Sequence, residues 1–290
     1  MKARKNFYTV LLQMPIVLFC VTIILPFITA ISTSFSGASG GKFSFWPATI
    51  DLTGYKLIFT NPSVILYGYI TSVSVTVIGT TCALIVTTGL SYALSRYDFK
   101  YRNKLSFYVY FTMLFSGGLV PQYILITQYL RLKDSIWALI LPYLVQPFYV
   151  LMLRVFMRSI PFEIIESCYI DGAGEFRIFA YIVLPLARTG IATIAIFITF
   201  IYWNDWWLAL LYLESSVFVP LQLVLTRIMI NFTFLTSSIR NIPVNVRMNN
   251  LPVESMRMGM ALLAAAPMLI AFPFFQEYFI KGITLGSLKG

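Results

Sequence analysis

Side chains that could do chemistry are few in this sequence. The 290 residues include no histidine, 11 Asp and Glu, and three cysteines. No G-x-x-x-x-G-K-[ST] loop is present to bind the phosphates of ATP, and without histidine the commonest proton-transfer group is missing. Because Cys20, Cys82 and Cys168 lie singly, no zinc-binding spacing or disulfide framework is visible. The sequence therefore predicts neither an enzyme nor a metal site.

Charged residues stand together in one segment, ESCYIDGAGEFRIFAYIVLPL, residues 166–186. It holds Glu166, Asp171, Glu175 and Arg177, with two glycines and a proline. Because only 11% of the chain is charged, a segment of this kind must meet water or a partner.

The composition places this segment in a membrane protein. Hydrophobic residues make up 59% of the chain and the mean hydropathy is +0.81, whereas soluble domains are about 45–50% apolar. Apolar runs long enough to cross a hydrocarbon layer of about 30 Å recur along the chain. We predict an all-α integral membrane protein, a single domain over residues 1–290, with six transmembrane helices at about 9–34, 66–95, 105–130, 136–157, 188–213 and 256–280.

The distribution of Lys and Arg predicts the orientation of the chain in the membrane. If the N-terminus is inside, the inner segments carry more Lys and Arg than the outer ones, which is the usual cytoplasmic bias. Both termini are therefore predicted to be cytoplasmic. Arg227, Arg240, Arg247 and Arg257 lie in or beside a long outer loop, 214–255. Cations near anionic head groups explain the net charge of +10, so nucleic-acid binding is not expected.

Glycines and prolines interrupt three of the apolar runs. Backbone groups freed at such breaks are tolerated only against protein or a wet cavity. This pattern indicates a bundle with an internal path, and kinked helices in an ordinary bundle are the alternative. The residues concerned are Gly117, Gly118 and Pro121 in the third run, Pro142 and Pro147 in the fourth, and Pro267 and Pro273 in the sixth.

The longest predicted cytoplasmic connection is the loop 158–187. Pro161 suits the first turn of a helix, and Glu163 and Glu166 complement the positive end of the helix dipole. We therefore expect a short helix over about 161–170.

A turn and a second helical segment should follow that helix. Gly172 and Gly174 let the backbone turn sharply, and a second helical segment begins over 176–182. Pro185 punctuates this segment. The loop is therefore predicted to be a helix, turn and helix.

The spacing in this loop resembles a known motif. Glu166-Ser167-Cys168, three residues, Gly172, nine residues, Ile182, one residue and Leu184-Pro185 resemble the EAA loop of the permease subunits of bacterial ABC importers. Asp171-Gly172-Ala173 reproduces the DGA form of the carbohydrate-uptake branch. Ser167 and Cys168 replace the two alanines of the motif and are similar to them in size.

The resemblance covers essentially the whole chain. Four further stretches resemble the sugar-permease family that contains the maltose permease MalG. They are SYALSRYDF (91–99), FSGGLVPQY (115–123), YWNDWWLALLYL (202–213) and PFFQEYFIKGITLGSLKG (273–290). The FSGGLVP and YFIKG forms most resemble the subgroup for complex polysaccharide fragments, such as alginate or rhamnogalacturonan oligosaccharides.

This resemblance implies a type I ABC importer permease fold in a bacterial cytoplasmic membrane. The expected partners are a second, related permease, a cytosolic ATPase dimer that binds ATP and Mg, and an extracytoplasmic solute-binding protein. The cargo is an oligosaccharide, and no cofactor is expected in this chain. Helix capping and solvated charge are the alternative for Glu166 and Asp171. The residues expected to couple to the ATPase, through a cytoplasmic coupling helix, are Glu163, Glu166, Ser167, Asp171, Gly172, Ala173, Leu184 and Pro185.

A transported sugar needs amides, carboxylates and aromatic faces along its path. Asn204 and Asp205 lie beside Trp203 in the fifth run, where a carboxylate is costly in lipid and normally faces a cavity or a partner. An aromatic belt at the outer interface is the alternative. Weaker path candidates, with bonding between helices as their alternative, are Gln122, Tyr123, Gln128 and Gln146.

The alternative function is an ion-coupled secondary transporter of a sugar-like solute. It would need carboxylates near the membrane midplane and an internal repeat. The sequence offers one plausible intramembrane acid and no clear repeat. An intramembrane hydrolase lacks a credible nucleophile and base.

Overall fold

The computed structural model describes residues 2–37, 50–214, 218–240 and 252–287. All regular secondary structure in these ranges is helical, apart from an isolated β-bridge between Ser36 and Ile50. Residues 241–251 of the predicted outer loop, which include Arg247, lie outside the described residues. The chain divides into two compact units, Met1–Ile65 with Leu225–Pro267, and Leu66–Val224 with Met268–Gly290.

Polar contacts near helix ends hold the first unit together. It contains α1 (Lys2–Ser34), α2 (Thr53–Ile58) and the beginning of α14 (Val253–Ser287). The Ser255 hydroxyl donates to the Ser34 carbonyl at 2.7 Å, and the Tyr55 hydroxyl donates to Ser34 Oγ at 3.1 Å. These bonds join the end of α1 to α2 and to the start of α14.

In the described residues, three helices are long and apolar enough to cross a membrane. They are Gln13–Ser34 within α1, α3 (Pro62–Ser95) and Val253–Pro273 within α14. Large apolar side chains are exposed along α1, from Met14 at 66% to Phe27 at 52%. Such surface is stable only when lipid or protein covers it.

Within the same described ranges, three bent pairs of helices are each long and apolar enough, taken together, to cross a membrane. The axis turns by 111° between α4 (Arg102–Leu114) and the segment Leu119–Tyr129, which begins with α5 (Leu119–Ile124). It turns by 53° between Trp137–Tyr143, which begins with α6 (Trp137–Ile140), and α7 (Pro147–Arg158). A third bend, of 79°, separates Glu175–Leu186 from α11 (Arg188–Asn204). The described residues thus provide between three and six candidate spans.

The predicted breaks in the third and fourth runs are confirmed, and the break in the sixth is not. Gly117 and Gly118 lie between α4 and α5, and Pro147 begins α7 after the bend. Pro267 and Pro273, in contrast, lie inside the continuous helix α14. A proline inside a helix removes one hydrogen bond, and the rest of a long helix can maintain its direction.

Two further helices depart from the sequence prediction. α12 (Trp207–Tyr212) is separated from α11 by Asp205 and Trp206, so the fifth run is broken near its end. α13 (Leu221–Arg240) occupies much of the predicted outer loop. Its apolar part, Leu221–Phe234, is shorter than a typical span.

The core of the second unit draws on most of its helices. Its fully buried side chains include Leu139, Leu153, Ile178, Ile194 and Leu223. Ile165, from the loop 158–187, belongs to the same cluster. This loop is therefore packed on the helices and is not a separate appendage.

Candidate functional site

The short helix predicted at the start of the loop is present as α8 (Phe162–Ile170). Pro161 immediately precedes it, and Glu163 lies in its first turn. Ile165 is 7% exposed and packs in the core, while Glu166 and Ser167 face outward. One face of α8 is therefore fixed to the unit, and its acidic face is accessible.

The turn after α8 explains the position of Gly172. Its φ is +78°, in the region that favours glycine. The Gly172 N–H donates to the Tyr169 carbonyl and the Ala173 N–H to the Cys168 carbonyl, each at 2.9 Å. These two bonds form a Schellman motif, which ends a helix with a left-handed residue.

The second helical segment continues beyond the predicted proline. α9 (Glu175–Ile178) passes into a π-helical turn, Phe179–Val183, and then into α10 (Leu184–Leu186). Pro185 lies inside this run, and the bend of 79° comes after Leu186. Pro185 is tolerated because it lies in the first turn of α10, where a missing N–H costs little.

The segment 162–186, here called the paddle, presents acidic and apolar side chains side by side. Glu163, Glu166 and Asp171 are exposed. So are Ile170 at 83% and Phe176 at 79%. An open cavity of about 420 Å³ lies next to them, lined by Cys168, Asp171, Ala173, Arg177, Ile178, Tyr181 and Ile182. Exposed apolar side chains next to charges are typical of a protein-binding surface.

A buried arginine outside the predicted site contacts the paddle. Arg96 follows the last residue of α3 and is 5% exposed. Its Nη2 donates to Asp98 Oδ2 at 2.9 Å, to the Tyr169 hydroxyl at 2.7 Å and to Glu175 Oε1 at 3.5 Å. Its guanidinium carbon lies 5.5–5.8 Å from the ring centroids of Tyr92, Phe162 and Tyr169.

Glu175 completes this group, the Arg96 cluster (Tyr92, Arg96, Asp98, Phe162, Tyr169 and Glu175). The Tyr92 hydroxyl donates to Glu175 Oε2, and the Tyr169 hydroxyl donates to Glu175 Oε1. Both carboxylate oxygens are thus bonded, one of them to α3. Sequence reasoning missed this cluster, although an arginine and an aspartate directly after an apolar run were a signal for it.

The ionisation of the cluster follows from its surroundings. Burial and the hydrogen bond to Glu175 raise the pKa of the Tyr169 hydroxyl to about 12, so it remains a donor at neutral pH. Burial opposes the charge of Arg96, but the hydrogen bond to Asp98 and the neighbouring Tyr92 and Glu175 leave its pKa above the ordinary value. Arg96 is therefore a permanent cation.

Asp205 lies at the junction of α11 and α12. Its Oδ1 accepts hydrogen bonds from the Tyr143 hydroxyl at 3.1 Å and from the Leu208 N–H at 3.3 Å. The second bond satisfies a free N–H at the start of α12, as a capping side chain does. Asp205 thus has structural partners, and it is half-buried.

The other predicted path residues differ in exposure. Trp203 is only 3% exposed, so its ring is not an open platform in this chain. Asn204 is exposed, and its side-chain amide donates to the Phe200 carbonyl at 3.0 Å. The structure brings both residues beside Asp205 because they are consecutive in sequence.

The candidates on the interrupted helices lie on α5 and before α7. Gln122 is exposed, and the Tyr123 ring stacks on Tyr212 of α12 with centroids 5.9 Å apart. Gln128, in the π-helical turn after α5, is exposed too. Gln146 is half-buried, and its carbonyl accepts the Tyr149 N–H at 3.0 Å. Among the described residues, no group of three or more Cys, Asp and Glu could hold a metal ion.

Comparisons with known proteins connect this geometry to a family. No protein-family model matches the chain. The chain is 37% identical over 290 residues to the polygalacturonan/rhamnogalacturonan transport system permease protein YtcP of Bacillus subtilis (strain 168), and the match covers 99% of this chain and 100% of that protein. It is 37% identical over 271 residues to Protein LplC of the same strain, covering 92% of this chain and 90% of LplC.

A solved structure has the same fold. One chain of a bacterial ABC transporter involved in the import of the acidic polysaccharide alginate matches with a TM-score of 0.79 and 24% identity. The match covers 95% of the present chain and 98% of the other. At this identity, the likeness establishes the fold.

Proposed function

Because the chain belongs to the family of ABC sugar transport permeases, we propose that it is one transmembrane subunit of an ATP-driven oligosaccharide importer. It forms half of the translocation path, and a second permease forms the other half. A solute-binding protein delivers the oligosaccharide from outside. A cytosolic ATPase dimer, which binds ATP and Mg, supplies the energy.

The paddle is the surface that contacts the ATPase. The observation that carries this proposal is the two-sided construction of α8, with Ile165 in the core and Glu163, Glu166 and Ser167 exposed. The exposed face offers acids and apolar side chains to a partner, and the buried face connects that partner to the membrane helices. Asp171, Gly172 and Ala173 set the turn, and Leu184 and Pro185 lie in the last helical turn of the paddle.

Movement passes from the paddle to the membrane helices by packing. Ile165 and Ile178 share a core cluster with Leu153 and Met157 of α7 and with Ile194 of α11. Closely packed side chains transmit displacement as rigid bodies do. Closure of the two ATPases around nucleotide would therefore shift α7 and α11 together with the paddle.

In this proposal the six membrane spans are the three long helices, the two bent pairs at 102–129 and 137–158, and α11. Both termini and the paddle lie in the cytoplasm. Six spans return the chain to the side on which it starts, and the excess of inner cations supports that side. The chain is thus a multi-pass protein of the bacterial cytoplasmic membrane, with the paddle accessible to a cytosolic enzyme.

The substrate path contains Asp205 in this proposal. A half-buried carboxylate in an aromatic segment can accept hydrogen bonds from sugar hydroxyls. Asn204 and Gln122 add exposed amides, with Tyr123 and Gln146 as further path residues. Trp203 contributes by packing, because its ring is buried.

Fragments of acidic polysaccharides are the first substrates to test. YtcP is named for polygalacturonan and rhamnogalacturonan transport, and the structural neighbour takes part in alginate import. An ion-coupled secondary transporter is not favoured, because the relatives are ABC permeases.

A charge reversal on α8 tests the docking surface. Glu166→Lys places a cation on the exposed acidic face, so we expect less ATPase to co-purify with the permease pair and uptake into liposomes to fall. Glu214→Lys is the matched control, because Glu214 is 76% exposed and lies outside the paddle. If the Glu166→Lys permease co-purifies with as much ATPase as the wild type and imports at the wild-type rate, the docking role is contradicted.

A further inference from the structure

We propose that Arg96 and Glu175 form a positioning link that holds the paddle against the end of α3, so that ATPase movement reaches α3 directly. The proposal rests on the proposed function, since it concerns how force leaves the paddle. It adds a second route to the packing of Ile165 and Ile178. It also assigns a role to residues outside the predicted coupling set.

Glu175 is placed to join three parts of the chain. It is the first residue of α9 and lies directly after the turn that ends α8. One of its oxygens accepts from Tyr169 of α8 and from Arg96, and the other accepts from Tyr92 of α3. A single carboxylate therefore bonds both sides of the turn to the end of α3.

Arg96 has little freedom to choose other partners. Its side chain is 5% exposed, and its Nε and Nη1 have no hydrogen-bond partner in the described part of the chain. Within the described ranges, its hydrogen bonds all come from Nη2 and go to Asp98, Tyr169 and Glu175. The rest of the guanidinium faces the rings of Tyr92, Phe162 and Tyr169. Separating the paddle from α3 would remove the bonds of this buried cation to Tyr169 and Glu175 and leave Asp98 as its carboxylate partner, so paddle and helix are costly to separate.

Unlike ordinary core packing, the hydrogen bonds of this link have a fixed direction. Apolar contacts can slide, whereas charged hydrogen bonds fix the distance and angle between their partners. The ring of Phe179, in the π-helical turn of the paddle, also packs on Tyr92 with centroids 4.9 Å apart. The end of α3 is thus held to the paddle at α8, α9 and the π-helical turn.

The test measures coupling efficiency, the amount of oligosaccharide imported per ATP hydrolysed, in the complete complex in liposomes. Glu175→Gln keeps the size of the side chain and removes its charge, and Tyr169→Phe removes one hydroxyl. We expect the ratio to fall about tenfold in Glu175→Gln and less in Tyr169→Phe. Arg96→Lys should resemble Glu175→Gln, because an ammonium cannot stack on three rings and bond three partners together.

A matched control separates this role from a loss of stability. Glu214→Gln makes the same chemical change at another carboxylate that is paired with a cation, Lys133, at 2.5 Å. Its coupling ratio should equal that of the wild type. If Glu175→Gln lowers only the melting temperature and leaves the ratio unchanged, the link is structural packing and the proposal is overturned.

Failure of the link and failure of the proposed function give different results. If wild-type complex imports with ATP and the cluster variants keep its ratio, only the link is wrong. If the wild-type chain neither binds an ATPase nor imports with ATP, the proposed function itself is wrong. A combined Tyr169→Phe/Glu175→Gln variant no worse than Glu175→Gln alone would show that both residues act in one link, and additive losses would contradict it.

Discussion

Gly172 and Gly174 lie two residues apart, yet only one of them needs to be glycine. A Cβ at either position would meet no atom within 4 Å, so space does not distinguish them. The φ of Gly172 is +78°, whereas that of Gly174 is −76°. Backbone conformation alone therefore makes Gly172 special.

This difference gives a paired prediction at the residue scale. Gly172→Ala should destabilise the paddle by about 1–2 kcal/mol because a left-handed residue with a Cβ is strained. Gly174→Ala should have almost no effect. Hydrogen exchange of the α8 amides in the purified complex measures both, and equal protection in the two variants would refute the role of the turn.

Asp205 permits a second prediction at this scale. Asp205→Asn retains an acceptor for Tyr143 and Leu208, and Asp205→Leu retains none. Each lost hydrogen bond costs about 0.5–1.5 kcal/mol, so thermal unfolding should rank wild type above Asn and Asn above Leu. Uptake should fall in the same order if Asp205 also contacts the sugar.

Two results would remove Asp205 from the path. A Leu variant as stable as wild type, with wild-type uptake at every substrate concentration, would place Asp205 in the interface belt. A less stable Leu variant with wild-type uptake would show that Asp205 caps α12 and does not contact the sugar.

The sequence predicted the turn at Gly172 but not the partners of Arg96, and the reason is physical. The turn is local, because its bonds join residues three and five apart, and the spacing of the loop records it. Arg96 bonds to residues 73 and 79 positions away. No local pattern specifies which distant carboxylate a buried cation will meet.

The bend between α4 and α5 is a feature of the element scale. Gly118 has φ +87° and ψ 176°, a conformation nearly restricted to glycine. Gly118→Ala should therefore destabilise the protein by about 1–3 kcal/mol. Gly117→Ala is the control, since its Cβ would meet only Pro121 at an ordinary 3.8 Å. Thermal unfolding of both variants tests the prediction, and an unchanged melting temperature for Gly118→Ala would contradict it.

Close approach of α3 and α11 gives another element-scale prediction. A Cβ on Gly79 would lie 2.7 Å from the ring of Tyr202, whose hydroxyl is already fixed on the Ile140 carbonyl at 2.9 Å. Gly79→Ala should cost about 1–3 kcal/mol through overpacking. Gly89→Ala, on the same helix with no atom within 4 Å, should be neutral or stabilising. Similar melting temperatures for the two variants would contradict the close packing.

The positions of the long membrane helices were predictable from the sequence, but their continuity was not, and α13 was missed. Long apolar runs located α1, α3 and α14 because hydrophobicity over about 20 residues is a strong signal. The break at Asp205 and the unbroken passage of α14 through Pro267 were not predicted. Both depend on whether neighbouring groups satisfy the freed backbone, and tertiary packing decides this.

At the scale of the whole molecule, the sequence indicated the family and left the partners to be found. The chain has no phosphate-binding loop and no histidine, and we propose that a partner ATPase supplies the energy for transport. The fold and the relatives are those of ABC permeases. The central claim is therefore that this chain works only as one subunit of an ATP-driven complex.

Reconstitution tests this claim most directly. The chain is purified with its co-expressed permease and ATPase partners, placed in liposomes, and supplied with binding protein and labelled oligosaccharide. Uptake should require ATP, the ATPase and the second permease together, and it should vanish with any one of them removed. Uptake by this chain alone, driven by a proton or sodium gradient without ATP, would contradict the claim.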